Sequence, residues 1–190
     1  MKRLFVPLSI AGLIILGILL VVVGSVTDDK KAGSTNTTNV NETKYTEVAP
    51  CDVLTQQIAD SLLGGASEQE YVPNSSANDT LSVSNCTYTL NTNTELPISP
   101  AKIKTAQLYV RAAKSVEGIA SNKEQFDTKR PAGAQVVTGY GQAAYWERTT
   151  GQLNILKNNN WYIITNGSSA IDTRRVEDAT KLADQIVADL

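Results

Sequence analysis

From Leu4 to Val26 every residue is apolar, small or proline, and none is charged. No other feature restricts the chain as strongly. At about 1.5 Å per helical residue, roughly 20 such residues cross the hydrocarbon core of a bilayer, so the run is long enough for one membrane-spanning helix. Met1, Lys2 and Arg3 would also suit a cleaved secretory signal, but the run exceeds a usual signal h-region and no A-x-A site closes it. The expectation is an uncleaved anchor over residues 4–26 behind a short cytoplasmic stub, residues 1–3. No cysteine ends the run to accept a lipid. Lys2 and Arg3 on one side are matched by Lys30 and Lys31 on the other, so charge alone does not orient the anchor. The N-terminal amine adds a charge on the inner side, and Cys51 and Cys86 downstream favour an oxidising compartment, which together place the remainder outside the cytoplasm.

The chain's 190 residues leave room for the anchor and one domain, not two. Residues 27–49, TDDKKAGSTNTTNVNETKYTEVA, offer little to bury and are expected to form a disordered linker. A flexible coil of about 23 residues reaches roughly 25–30 Å. Asn36, Asn41, Asn74, Asn78, Asn85 and Asn166 each open an N-x-[ST] sequon, a frequency that an Asn/Thr-rich chain produces by chance. With Lys2 and Arg3 set aside, 15 basic residues face 19 acidic ones, which argues against a nucleic-acid partner. The chain has no histidine, and so lacks the commonest general base and the commonest zinc ligand. Neither a cofactor nor a metal is expected.

The domain is expected over residues 50–190. After Pro50, Val53, Leu54, Ile58, Leu62 and Leu63 fall on one face of a single helix, with Asp52 or Thr55 as N-cap and Gly64 and Gly65 as its end. A polar loop follows. In Asn85–Asn91, Cys86, Tyr88 and Leu90 alternate with Thr87, Thr89 and Asn91, the period of a half-buried strand that turns Cys86 inward. Pairing Cys51 with Cys86 would close a loop of about 36 residues, worth about 3–4 kcal/mol in the chain-entropy account. Ala106, Leu108, Val110 and Ala112 mark a second strand, and Val116, Ile119, Ala120, Lys123 and Phe126 a short helix. Four more strand-like runs follow Pro131, the last two joined through Asn158 and Asn159 in a hairpin. Val176, Ala179, Leu182, Ala183, Ile186, Val187 and Leu190 keep the helical period to the last residue. The fold class is therefore α+β: an antiparallel sheet of about five to six strands packed against helices on at least one face.

Pro50-Cys51 opening a short helix that ends Leu62-Leu63-Gly64, Asn85-Cys86-Thr87-Tyr88, and Val137 to Trp146, VTGYGQAAYW, together resemble the small cell-envelope lipoprotein family of unknown function in Gram-positive bacteria. The likeness spans most of residues 50–190, although this chain has no lipid-bearing cysteine. The resemblance implies a secreted, surface-tethered, disulfide-containing α+β domain, and it brings no catalytic residues.

Chemistry has few footholds. Gly139-Tyr140-Gly141-Gln142-Ala143-Ala144 fits G-x-G-x-x-A, but a dinucleotide site needs a helix to open there, whereas Tyr145, Trp146 and Thr149 favour a strand after a glycine turn. Ser99-Pro100-Ala101-Lys102 fits S-x-x-K without the S-D-N and K-T-G partners of penicillin-recognising enzymes, which suits a turn better than a nucleophile. Glu177 and Asp178 are expected on the solvent side of the last helix. No catalytic residue is assigned. Tyr140, Tyr145 and Trp146 are the candidate ligand contacts. Because strand neighbours face opposite ways, one of Tyr145 and Trp146 is expected to stay available to a ligand. The expected role is a membrane-anchored, extracytoplasmic, non-enzymatic binding domain whose partner is an envelope protein, a glycan or a lipid. The alternatives are a wall-modifying serine acyl transferase or hydrolase and a pilin-like structural subunit.

Overall fold

A computed structural model describes residues 45–91 and 99–190, and these belong to one compact unit. The expected stub and anchor, and residues 27–44 of the expected linker, lie outside the described residues. Among the described residues no helix is long and apolar enough to cross a membrane.

The order of elements is α1 (Pro50–Val53), α2 (Gln56–Leu63), β1 (Glu68–Ala77), β2 (Leu81–Asn91), β3 (Ile103–Ala113), α3 (Val116–Lys129), β4 (Gln135–Val136), β5 (Ala143–Glu147), β6 (Gln152–Lys157), β7 (Asn160–Ser168) and α4 (Val176–Ile186). The strands form one seven-stranded sheet in the order β1-β2-β3-β7-β6-β5-β4, every pair antiparallel. The α+β class stands, with one full strand more than expected. Residues 68–77, read from sequence as part of a polar loop, are the edge strand β1. It is held by its ladder to β2, and its residues 68–72 are exposed or half-buried, so period-2 hydrophobicity is absent there.

The expected first helix is two. Leu54 leaves helical dihedrals at φ −86° and ψ 89°, and Thr55 restarts the chain as N-cap of α2, its Oγ1 accepting from the Ile58 N–H at 3.4 Å. Gly64 ends α2 in the left-handed region, and the Lys104 ammonium donates to the Leu63 carbonyl at 3.1 Å, where the helix dipole favours a cation. The linker expectation also shifts. Val48 is buried in the core, and the Thr46 carbonyl accepts from Asn160 Nδ2 at 3.1 Å, so packing begins before Pro50.

The main core lies on one face of the sheet. Cys86, Tyr88, Ala106, Leu108, Val110, Leu153, Ile155, Tyr162 and Ile164 point into it and meet Leu54 and Leu63 with Ala179, Leu182, Ala183 and Ile186 of α4. Cys51 and Cys86 form a disulfide that joins α1 to β2 with 5.3 Å between their Cα atoms. The β6–β7 hairpin turns through Asn158 (φ 51°) and Asn159 (φ 69°), a two-residue loop in which Asn tolerates the left-handed region.

α3 covers part of the opposite face, so the molecule has three layers. Phe126 meets Tyr145 at 4.9 Å and Trp161 at 6.5 Å between ring centroids in a second, smaller core. The face of α3 differs from expectation. Gly118, Asn122 and Phe126 are its buried residues, while Val116 is 64% exposed and Lys123 faces solvent. Asn122 can be buried because its Nδ2 donates to the carbonyls of Arg111 and Asn159, at 3.0 and 2.9 Å.

Candidate functional site

The three aromatic residues singled out in the sequence are not brought together. Tyr145 and Trp146 do face opposite ways, yet both are buried, at 2% and 7% exposure, because both faces of the sheet are covered at β5. Trp146 joins the main core and Tyr145 the smaller one. This corrects the expectation that one of the pair stays available. The Arg130 guanidinium lies 5.7 Å from the centre of the Tyr145 ring. Burial first, then the Glu147 charge, pushes the Tyr145 phenol up to about 12.

Tyr140 stands in the loop before β5. Its hydroxyl donates to Asp184 Oδ1 on α4 at 2.5 Å, and burial followed by that carboxylate pushes its pKa up to about 12. The glycine motif is a turn that enters strand β5, as its residue types imply. Gly141 takes φ 59° with the Leu156 carbonyl 2.4 Å from where a Cβ would lie. Residues 136–144 of this loop, with Phe126 and Arg130, wall a concavity of about 320 Å³.

Ser99 and Lys102 are exposed, and Ser99 precedes a single 3-10 turn over Pro100–Lys102. Glu177 is exposed, and Asp178, half-buried, lies 3.8 Å from the Lys181 ammonium. Asn85 and Asn166, two of the sequon residues, are half-buried with their amides engaged by Thr87 and the Asp178 carbonyl. Among the described residues no group of three or more acidic, cysteine or histidine side chains could hold a metal ion.

The feature that sequence reasoning missed lies beside α3. This helix crosses the end of the sheet that carries Arg111, Trp161 and Tyr145, and among the described residues no helix covers the rest of that face. The strand register puts Thr87 opposite Gln107, Gln107 opposite Thr165, and Thr165 opposite Gln152. The row continues to Glu70 on β1 and to Glu147 on β5. Six strands thus present one continuous line of polar side chains, stepped by the strand spacing of about 4.8 Å. The four interior members are half-buried.

The line is internally ordered. Thr87 Oγ1 accepts from Gln107 Nε2 at 3.0 Å and from Asn85 Nδ2 at 3.1 Å. Both lone pairs of that oxygen are then occupied, so toward any further group Thr87 can act only as a donor. Tyr109 lies in the adjoining row between Asn85 and Ile163, and burial raises its phenol above the ordinary value. At the β5 end the line runs into a pocket of about 190 Å³ bordered by Lys129, Tyr145, Glu147, Gln152 and Asn154. Thr149 and Thr150 donate their hydroxyls to the Glu147 carboxylate.

The only trace of this line in the sequence is the set of polar partners in each alternating strand, Thr87 in β2 and Gln107 in β3. Which of them become neighbours is fixed by register, which alternation within one strand does not contain. Comparison with family models, with curated proteins and with solved structures returns no match.

Proposed function

We propose that this chain is a membrane-anchored, extracytoplasmic, non-enzymatic binding domain, tethered through residues 4–26 and engaging its ligand on the sheet face beside α3. The observation that carries this reading is the polar line from Glu70 to Glu147. An antiparallel sheet commonly leaves one face to solvent with polar side chains, and on this one amides and hydroxyls stand in register across the strands with a pocket at one end. The disulfide supports placement outside the cytoplasm, where such bonds persist. The resemblance to small cell-envelope lipoproteins agrees with that placement.

The test is site-directed photo-crosslinking of the full-length protein in cells. A benzophenone side chain replaces Gln107 or Thr165 on the line, or Lys181 on the exposed side of α4. Adducts from the line and none from position 181 are the expected result. Silence at all three positions, or equal labelling from all three, would sink the proposal.

A further inference from the structure

The chemistry of the line identifies a ligand class. Its interior alternates hydroxyl and amide, Thr87, Gln107, Thr165 and Gln152, with no net charge across four strands. Gln152 offers two amide N–H donors and a carbonyl acceptor and the Thr165 hydroxyl donates and accepts, while Gln107 keeps one N–H with its carbonyl and Thr87 keeps only its hydroxyl proton, so the line presents a donor at every step and an acceptor at three of the four. Hydroxyls of a sugar do both. The period adds a second constraint. Side chains on one face of an extended peptide recur roughly every 6.7 Å, which falls out of step with a line stepped at about 4.8 Å. An extended equatorially linked pyranose chain advances by nearly the strand spacing per ring and turns alternate rings over, so equivalent edges recur every second strand and stay in step with the line.

Charge and shape narrow the class further. Glu70 closes one end of the line, and at the other Glu147 and Lys129 border the same pocket, so the line has no cationic surplus to attract a polyanion. Sheets twist by roughly 20–25° per strand, so the line winds as it crosses the sheet and suits a single flexible chain more than a flat crystalline one. The pocket of about 190 Å³ at the Glu147 end is sized for one terminal ring.

We infer that the line from Glu70 to Glu147 binds a single chain of a neutral, equatorially linked polysaccharide, one ring per strand, with its end ring in the pocket bordered by Glu147 and Lys129. This rests on the proposal that the same face is the binding surface. It names side chains that grip the ligand by hydrogen bonds.

The experiment is titration calorimetry of the full-length protein in detergent micelles. The probes are the soluble β-1,4-linked glucose hexamer, the β-1,4-linked N-acetylglucosamine hexamer, a galacturonate hexamer and a neutral Ser/Thr/Gly peptide. Saturable binding of a neutral hexamer is expected, weakened about tenfold or more by Gln107→Ala with Gln152→Ala. Gln107→Glu, which keeps the side-chain shape and removes its donors, should weaken it in the same direction, while Lys181→Ala leaves it unchanged. The inference is overturned if neither neutral hexamer saturates, if the substitutions leave affinity intact in a protein of unchanged melting temperature, or if the galacturonate hexamer binds as tightly. Saturable binding of the peptide alone, with crosslinks from Gln107, would overturn the glycan and leave the binding face standing. Absence of both would remove the two together.

Discussion

A Cβ added to Gly118 would stand 2.1 Å from the Thr80 carbonyl oxygen and 3.4 Å from the Ala113 Cα. The first turn of α3 is therefore pressed onto the start of β2 and the end of β3, and only the absence of a side chain permits it. Gly118→Ala is expected to cost about 1–3 kcal/mol by overpacking, although alanine is the better helix former. The denaturant midpoint of the full-length protein checks this, and an unchanged midpoint would mean that α3 does not press on the sheet as described. Tyr145 sets a different limit. Its phenol is held to about 12 against an ordinary value of 10.0, so between these values the native state keeps a proton that the unfolded chain has lost. Its stabilisation is complete below pH 10 and disappears as pH rises toward 12. Tyr145→Phe should flatten the fall in melting temperature between pH 10 and 12; an equally steep fall would place the sensitivity elsewhere.

At the scale of elements, what was legible followed from how much each element buries. β3 and α4 face the core along their whole length, and Ala106, Leu108, Val110 and Ala112, with Ala179, Leu182, Ala183 and Ile186, lie where their periods put them. The turn at Asn158 and Asn159 was equally plain, because few residues besides glycine tolerate the left-handed region. α3 was found but turned on its axis. Its contact with the sheet is made by a glycine and an asparagine, which carry no apolar signal, while its exposed Val116 carries one. The break between α1 and α2 escaped notice because both segments point apolar residues at one core, so the pattern continues through Leu54. β1 escaped because an edge strand needs backbone partners more than buried side chains.

Across the whole molecule, the sheet joins an N-terminal group, β1–β3, to a C-terminal meander, β4–β7, through the β3–β7 pairing. That pairing crosses roughly 50 to 60 residues of sequence and places Gln107 beside Thr165, so the candidate site exists only in the assembled sheet. Tyr140, Tyr145 and Trp146 drew attention through their residue types, yet tertiary burial claimed the last two. The disulfide bears on the entire fold because it ties α1 to an interior strand. Cys51→Ser with Cys86→Ser should destabilise the domain by about 3–4 kcal/mol and lower its melting temperature by roughly 10 °C, measured beside the reduced native protein. A melting temperature that does not move would mean that the crosslink is dispensable.

The position of that crosslink also decides how the molecule bears load. A pull arriving through the chain before Tyr45 reaches Cys51 and passes directly to Cys86, in the middle of β2. Residues 52–85, which include α2 and the edge strand, lie inside the closed loop and carry none of it. From β2 the tension passes into the ladder with β3, which holds it at eleven registered positions. A ligand gripped on the sheet and a tether drawn from the other end would load the interior strands and leave the closed loop slack.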